Sequence, residues 1–534
     1  MPKASSQNTL IKAIANVNLI EIEEISNKLI ALDLDDAQTF QELKPFLLLI
    51  AARHLFLNRG YLEAEMVVSE LLKVNLTNEK LYKLLNVPTL GGNLGGNFDG
   101  ILQHFKPETS FDHTVIAIVH SALGNFNKAI DHFQNALRLS PLDSNLYIFL
   151  GNQFVYLGYV ENAKLCFEKS INVCSKNHYA WFLLACLSNT SLKDSAKYCK
   201  QALAIQPNFS RAKARDAFNY FYLGKMKLGW EGYENRLNIY ENFHTICRLF
   251  NPTKKWTGQS LDNKTIIVFC EQGFGDAIQF VRYVNVLKEK YKVKIILQTF
   301  PEHDELFQSV ADTFVITQKN EPILPPHDYH ISMLSLPYLL DVPIPDPPVF
   351  KAKKLDFGDA IKIGICWTGN ADNSMDIVRS CPLKFFKPLY DIPGVKLFSF
   401  QKDKSKKYYP RINHWEDFAD NPDNMDIVDL GSGFNNYCDT ANALVSMDLI
   451  VSVDTSVALL AGSLGVPTWT LLNVDGEWRW GLHKTTTPWF KSMRLFRQKN
   501  INDWEYVINK VKLALIKEIK IGNIQASQKG EYNE

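Results

Sequence analysis

A carboxylate follows two closely spaced glycines where the first strand in the second half of the chain is predicted to end. The apolar run Thr265–Phe269 leads into the loop 270–276, which contains Gly273, Gly275 and Asp276. Because glycine has no side chain, the backbone of this loop can come close to a ligand. Asp276 also falls at or near the start of the next helix, where a capping carboxylate alone stabilises a helix by about 1 kcal/mol. The pattern fits a ligand-binding loop or a simple helix cap.

A second polar loop follows the strand predicted at Leu449–Val453. It contains Asp454, Thr455, Ser456 and Val457, and a helix is predicted from Ala458 to Leu464. Free backbone N–H groups and hydroxyls at the start of a helix can bind a diphosphate, with a dipole contribution of about 0.3–1 kcal/mol. The alternative is again a capped helix.

A third loop runs from Thr368 to Ser380 after the strand predicted at Lys362–Trp367, and it contains Gly369, Asn370 and Arg379. An arginine here could bind a phosphate through two parallel hydrogen bonds. A solvated surface arginine is the alternative.

Alternating strands and helices must position these loops. The proline-rich stretch 343–348 divides them into two blocks, so the pattern predicts two Rossmann-like lobes with parallel sheets and a cleft between them. Ligands bind beyond the carboxyl ends of such strands. A helix is predicted from Ala277 to Lys288, and the remaining strands are predicted at Val293–Gln298, Phe314–Ile316, Leu397–Gln401, Ile427–Leu430 and Thr468–Leu472.

The first half of the chain repeats with a period of 34 residues, seen between Ala129 and Ala163 and between Phe133 and Phe167. The third unit is two residues shorter, and we place the deletion in its inter-helix turn near 191–194. A weaker fourth unit extends to Tyr233. Large and small residues at fixed spacing, with glycine in the turns, are typical of stacked antiparallel helix pairs. The pattern over 111–240 resembles the tetratricopeptide repeat, which implies a concave face that binds a peptide or protein, although a purely supporting role is the alternative.

Residues 1–87 are predicted to be helical, with a degenerate repeat suggested at Gly60–Ala64, and the glycine cluster at 91–100 is interpreted as a flexible connector. It lacks the preceding strand and the Lys-Ser/Thr pair of a phosphate-binding loop. The pair His327 and His330 has no evident third ligand, so a metal site there has little support.

Composition narrows the function. The 534 residues carry 58 Lys and Arg against 57 Asp and Glu, so no net field favours nucleic acid or an anionic membrane. The nine cysteines contain no Cys-x-x-Cys pair, which favours reduced thiols. With neither a signal peptide nor a membrane-spanning stretch in the sequence, we expect a cytoplasmic protein without a membrane span.

Taken together and in order, the motifs resemble tetratricopeptide-linked glycosyltransferases, relatives of the bacterial heptosyltransferase family (family 9-like). The resemblance covers about 245–515 and includes the stretches 271–283, 367–370, 452–458, 478–480, 488–489 and 493–498. It implies an N-terminal α-solenoid followed by a GT-B glycosyltransferase with two Rossmann-like lobes. The domains are then a helical region 1–110, repeats 111–240, an acceptor lobe 241–350 and a nucleotide-sugar lobe 351–534.

The resemblance also implies roles for individual residues. Asp276 would be the general base that deprotonates an acceptor hydroxyl, in an inverting transfer that needs no metal ion. The donor is a nucleotide-sugar, and no other cofactor is implied. The donor-binding residues would be Gly273, Gly275, Gln279, Trp367, Gly369, Asn370, Arg379, Ser380, Asp454, Thr455, Ser456 and Val457.

One position departs from the pattern of the relatives. Many of them have histidine where this chain has Leu459, and the histidine's place suggests a contact to the donor phosphate. Three readings follow: a transferase that modifies Ser or Thr of a recruited protein, with bacterial flagellin-modifying enzymes as the analogy; a transferase with a saccharide acceptor; and a catalytically silent binding scaffold. Self-association through the repeats stays open.

Overall fold

The computed structural model describes residues 107–122, 124–187, 191–240, 250–308, 310–316, 324–369, 376–402, 421, 424–474, 476–500 and 502–525. The expectations for 1–106, namely helices, a degenerate repeat and a glycine connector, lie outside these residues. The described chain forms two compact units, the first ending at Ala212 and the second starting at Lys213.

The first unit consists of helix pairs. Its helices are α1 (Ser110–Ala122), α2 (Phe126–Leu139), α3 (Ser144–Tyr156), α4 (Val160–Val173), α5 (His178–Leu187), α6 (Leu192–Ile205) and the start of α7 (Ser210–Tyr222).

The starts of these helices reproduce the period of the sequence. The first helices of successive pairs begin at Ser110, Ser144, His178 and Ser210, so the first two intervals are equal and the third is two positions shorter. The interval from the start of α5 to the start of α6 is likewise two positions shorter than the corresponding interval in α1–α2 and in α3–α4. The repeat architecture is therefore confirmed, and the two missing residues lie between the starts of α5 and α6. The turn ends earlier than predicted, because α6 begins at Leu192.

The repeated large and small residues interlock as expected. Ala129, Phe133 and Ala136 are fully buried along one face of α2. The ring of Phe133 stacks on Phe149 of the next pair with centroids 5.5 Å apart. A Cβ atom on Gly151 would come closer than 3 Å to the Phe167 ring, so this position has no room for a side chain.

Three more helices open the second unit: the rest of α7, then α8 (Met226–Tyr233) and α9 (Arg236–Tyr240). Phe221, Trp230 and Tyr233 belong to the same buried cluster as the apolar residues of the first lobe's sheet.

The first lobe contains a four-stranded parallel sheet of order β3-β2-β1-β4. In register, Ile267 of β1 lies between Ile296 of β2 and His330 of β4. Its elements are β1 (Thr265–Phe269), α10 (Phe274–Phe280), α11 (Arg282–Lys290), β2 (Lys294–Thr299), α12 (Asp304–Phe307), β3 (Thr313–Ile316), β4 (Tyr329–Ser332) and α13 (Leu336–Leu340).

The second lobe contains a six-stranded parallel sheet of order β10-β9-β8-β5-β6-β7. Both faces are covered, since one buried cluster packs on each side. Its elements are β5 (Ile361–Cys366), α14 (Asp376–Arg379), α15 (Lys387–Tyr390), β6 (Val395–Ser399), β7 (Ile427–Asp429), α16 (Tyr437–Leu444), β8 (Leu449–Val453), α17 (Ser456–Ser463), β9 (Thr468–Leu472), β10 (Met493–Arg497) and α18 (Trp504–Lys520).

The predicted fold class, a helical repeat region followed by two lobes with parallel sheets, is therefore confirmed. The strands β1, β8 and β9 have the predicted bounds, and the other predicted strands differ by one or two residues at one or both ends. Strands β4 and β10 were not predicted. β4 is four residues long, and β10 includes two arginines, so neither forms a long continuous apolar run.

The single helix predicted at Ala277–Lys288 is wrong in detail, since the chain forms two helices that meet at Val281. The buried side chain of Arg282 explains the break, because its Nε atom donates to the Gln279 carbonyl at 2.7 Å.

No helix in the described part of the chain is both long and apolar enough to cross a lipid bilayer.

Candidate active site

Each sheet has a point where the strand order reverses. In the second lobe β5 lies between β6 and β8, and in the first lobe β1 lies between β2 and β4. A crevice opens at the carboxyl ends of the strands that flank such a reversal, and ligands of open parallel sheets bind there. The three polar loops singled out in the sequence follow β1, β5 and β8, so topology places each of them at one of these two points.

The loop after β8 presents hydroxyl groups and the start of α17. Thr455 precedes the first residue of α17 and its side chain caps no helix N–H group. Instead its Oγ1 atom lies 3.0 Å from Ser452 Oγ. Ser456 Oγ accepts a hydrogen bond from the Tyr437 hydroxyl at 2.7 Å. The unbonded N–H groups at the start of α17 make this loop suitable for an anionic group.

The loop after β5 is held in place by its own lobe. Gln401, which follows β6, accepts a hydrogen bond from the Thr368 backbone N–H at 3.1 Å. The Cys381 N–H donates to the Trp367 carbonyl at 2.8 Å, which brings the end of α14, and therefore Arg379, back beside β5. Gly369 lies between these two anchors, and Asn370 is outside the described residues.

Asp276 faces the second lobe. Its Oδ1 atom accepts a hydrogen bond from Arg479 Nη2 at 2.8 Å, and the carboxylate is 18% exposed. Arg479 Nη1 donates to Gln279 Oε1 at 3.0 Å, so one guanidinium binds two side chains of α10. Within the described chain no group donates to the second carboxylate oxygen of Asp276, Oδ2, which remains available to a substrate.

The segment 476–480 carries further charged and polar groups to the same place. Trp480 Nε1 donates to Asp454 Oδ2 at 2.8 Å. Arg479 Nε lies 2.7 Å from Glu477 Oε2. Burial disfavours the charge of Arg479, but the three carboxylates Glu477, Asp276 and Asp454 outweigh burial and raise its pKa. Arg479 is therefore a permanent cation between the two lobes.

Glu477 is the titratable member of this cluster. Desolvation of the carboxylate, together with repulsion from Asp454 and Asp276, raises the pKa of Glu477 to about 7. The positive charges of Arg479 and Arg379 act in the opposite direction. Arg379 therefore interacts electrostatically with Glu477. Since 54% of the Glu477 side chain is exposed, water screens part of its repulsion from the other two carboxylates.

This shift predicts a pH-dependent effect of Glu477→Gln. A glutamate with a raised pKa binds more protons folded than unfolded between about pH 4.3 and its raised value, so its ionisation lowers stability as pH rises through that window. The melting temperature of the variant should equal that of the wild type near pH 4 and exceed it at pH 8. Differential scanning fluorimetry across this range measures the difference. Glu289→Gln on the surface of α11 is the control, and an offset that does not vary with pH would contradict the assignment.

The two lobes also touch directly between α10 and α17. A Cβ atom on Gly275 would lie 2.7 Å from Leu459 Cδ1 and 3.5 Å from Ser456 Cα. Glycine at position 275 therefore allows the two helices to approach each other, with Leu459 packed against it. Leu459 is 3% exposed and forms part of the apolar contact between the lobes.

The remaining predicted donor-binding residues differ in their exposure and contacts. Gly273 is the residue before α10 and is exposed. Gln279 is fully buried and holds Arg479. Trp367 and Val457 are 2% and 9% exposed and belong to the buried clusters on either side of the second sheet. Ser380 is buried, and its hydroxyl has no hydrogen-bond partner among the described residues.

Sequence reasoning missed several side chains of the site: Glu477, Arg479, Gln401 and Tyr437. The signal for Arg479 was present, since the stretch 478–480 belongs to the motifs on which the resemblance rests. Its role could not be read because Arg479 lies 203 residues after Asp276.

No cluster of three or more His, Cys, Asp or Glu side chains that could bind a metal occurs among the residues described. His327 and His330 each make a hydrogen bond to a backbone carbonyl, of Pro325 and Asn251 respectively.

Comparisons with known proteins show both helical-repeat proteins and glycosyltransferases to be similar to this chain. No protein-family model matches the chain. Protein FlbA of Caulobacter vibrioides is 21% identical over 437 residues, which cover 74% of this chain and 70% of that protein.

Among solved structures, a family 9 glycosyl transferase from Veillonella parvula covers 52% of this chain and 93% of its own, at 12% identity and a TM-score of 0.35. MamA covers 27% of this chain and 85% of its own, at 16% identity and a TM-score of 0.24. The helix pairs and the two strand orders define the fold by themselves.

Proposed function

We propose that this protein is a glycosyltransferase that moves a sugar from a nucleotide-sugar to a hydroxyl group. One observation carries the proposal: the carboxylate of Asp276, at the strand-order reversal of one lobe, faces the other lobe and is joined to it through Arg479 at 2.8 Å. Transfer between two bound substrates needs a base on one wall of a cleft and anion-binding groups on the other.

In this proposal the second lobe holds the donor. The diphosphate lies against the start of α17 at Thr455 and Ser456, and Arg379 approaches it from the end of α14. Positive charge and N–H groups at these positions stabilise the negative charge that develops on the leaving nucleoside diphosphate. Gly369 lies at the neighbouring strand end and lets the donor approach the backbone.

Asp276 acts as the general base. Its free oxygen, Oδ2, accepts the proton of the acceptor hydroxyl as that oxygen attacks the anomeric carbon and the bond from this carbon to the diphosphate breaks. The attack comes from the face opposite the leaving group, so the configuration inverts. The residues named here supply the proton acceptor and the charges, so we propose transfer without a metal ion.

The acceptor in this proposal is a Ser or Thr hydroxyl of a protein held by the repeat unit in the cytoplasm. The helix pairs supply the extended surface that stacked repeats use for protein binding. The competing function is a binding scaffold without turnover. The observation that favours it is Leu459, which fills the lobe contact with an apolar side chain and provides no donor to a phosphate.

A thermal-shift panel separates the two functions. Purified full-length protein is melted with UDP, GDP, ADP and CMP and with their sugar conjugates, in the presence of EDTA and again with Mg²⁺ or Fe²⁺. A nucleotide at 100 times its dissociation constant should add about 2.7 kcal/mol of stability. If the protein is an enzyme, we expect one nucleotide to raise the melting temperature in EDTA. The sugar conjugate of that nucleotide should then be consumed. A flat panel under all conditions would reject a nucleotide-sugar enzyme and leave the scaffold.

A further inference from the structure

The segment that links the repeats to the first lobe makes specific contacts with both halves of the candidate active site. We call residues 221–236 the brace; they comprise the end of α7, all of α8 and the start of α9. The sequence pattern places most of them in a weak fourth repeat. In the structure they belong to the second unit, and their polar and aromatic contacts converge on two loops.

The first contact is with residues 270–276, which we call the glycine loop; it ends at Asp276 in the first turn of α10. The hydroxyl oxygen of Tyr233 accepts a hydrogen bond from Gln272 Nε2 at 2.8 Å. Gln272 lies immediately before Gly273, in the short connection between β1 and α10. A glycine-containing connection has few side chains of its own to fix it, so an external hydrogen bond restricts its conformation.

The second contact is made by Arg236 at the ends of β1 and β4. Arg236 is 1% exposed, and its Nη2 atom donates to Glu271 Oε1 at 2.9 Å. The same nitrogen donates to Ser332 Oγ at 2.9 Å and to Ser335 Oγ at 3.0 Å. Glu271 follows β1 and Ser332 ends β4, so Arg236 connects the carboxyl ends of these two neighbouring strands. This buried arginine therefore holds Glu271, near the start of the glycine loop, in place.

The third contact reaches the loop of the second lobe that carries Glu477 and Arg479. Phe221 stacks on Trp478 with ring centroids 4.2 Å apart. Trp230 meets Trp478 edge-on at 5.4 Å and Phe280 of α10 at 5.6 Å. The Tyr222 hydroxyl donates to the Gly476 carbonyl at 2.9 Å.

From these contacts we infer that the brace positions the Asp276–Arg479 pair, with Tyr233 and Arg236 as positioning residues for the glycine loop. The inference rests on the proposed function for its effect on turnover, and on contacts alone for its effect on loop order. Neither residue touches the reacting atoms; each acts through Gln272 or Glu271. A role in general packing would not require polar contacts to two successive residues of the very loop that bears the carboxylate.

The test compares Tyr233→Phe, which removes one hydroxyl, with Tyr220→Phe on α7, whose hydroxyl makes no hydrogen bond within the described chain. Both variants are made in the full-length protein. We expect Tyr233→Phe to lower kcat about tenfold, with the nucleotide dissociation constant within about twofold of wild type and the melting temperature nearly unchanged. Arg236→Lys keeps the positive charge but loses the planar guanidinium that donates several hydrogen bonds at once, and it should lower kcat further. Tyr220→Phe should leave kcat, the nucleotide dissociation constant and the melting temperature unchanged.

Hydrogen–deuterium exchange gives a readout that does not need activity. Tyr233→Phe should speed amide exchange in residues 271–280 while Tyr220→Phe leaves it unchanged. If the wild type turns over and Tyr233→Phe keeps full kcat with unchanged exchange, the inference is overturned and the transferase stands. If the wild type neither binds nucleotide nor turns over, the proposed function fails, and faster exchange in 271–280 still supports the brace. Unchanged exchange in that case would overturn the brace as well.

Discussion

Replacing Asp276 with asparagine is expected to lower turnover at least about 100-fold, since general-base catalysis contributes about 10²–10⁴-fold. Asparagine has the same shape as aspartate and can still accept the hydrogen bond from Arg479, but its amide does not take up a proton at neutral pH. Nucleotide affinity should change little, because the proposed diphosphate site lies on the other lobe. Steady-state kinetics with the nucleotide-sugar identified by the thermal-shift panel, together with nucleotide titration of the variant, measure both quantities.

Asp346→Asn is the matched control for this variant. Asp346 also makes a carboxylate–cation pair, with Lys491 at 3.2 Å, but its side chain is 83% exposed. An exposed pair of this kind contributes little, so the control should keep wild-type turnover and stability. Turnover of Asp276→Asn within twofold of wild type would remove Asp276 from the mechanism. A loss of nucleotide binding as large as the loss of turnover would instead assign Asp276 to donor binding.

The parts of the fold that could be predicted are those with a local signal. Strands such as β1 and β8 are buried over nearly their whole length, so they appear as continuous apolar runs. The helix pairs are visible because alanine, phenylalanine and glycine recur together at one spacing. β10 shows neither signal, since its arginines interrupt the apolar residues. Its identity as a strand depends on pairing with β9, which is a tertiary interaction.

The sequence predicted residues that each lobe contributes to the site, but not the contacts between the lobes. Asp276 and the loop 454–457 stand at strand ends, a position that sequence patterns locate. The partner of Asp276 is a different matter, because an ion pair between residues 203 positions apart leaves no trace in local spacing. Leu459 shows the same limit: the sequence reveals an unusual residue, but only the structure reveals that it packs against Gly275.

The last helix pair shows how periodicity can hide a different role. The interval from the start of α7 to the start of α8 equals the interval in α1–α2 and in α3–α4, so the sequence correctly indicates another helix pair. Periodicity reports the shape of the pair and not what packs on it. The rings of Phe221 and Trp230 lie against Trp478 of the second lobe and not against a further helix pair.

The residue at which a fragment with the two lobes begins should therefore decide whether that fragment is stable. We expect a fragment of residues 207–534 to fold cooperatively and one of residues 241–534, cut at the boundary that the sequence predicts, to fail. The shorter fragment lacks Phe221, Trp230 and Tyr233, which belong to the buried cluster of the lobes. Each buried side chain of this size contributes about 1.5–3 kcal/mol.

Loss of Arg236 adds to this cost in the shorter fragment. Glu271 is 3% exposed, and its second carboxylate oxygen has no hydrogen-bond partner among the described residues even with Arg236 present. Breaking a buried pair by removing one partner costs about 3–5 kcal/mol. Together with the lost apolar contacts, this reaches the total stability of an ordinary domain, about 5–15 kcal/mol. Urea unfolding followed by tryptophan fluorescence should give a single sharp transition for 207–534 and a broad or absent one for 241–534. Equal midpoints for the two fragments would contradict the expectation, because a brace that can be removed without cost cannot be holding the glycine loop in place.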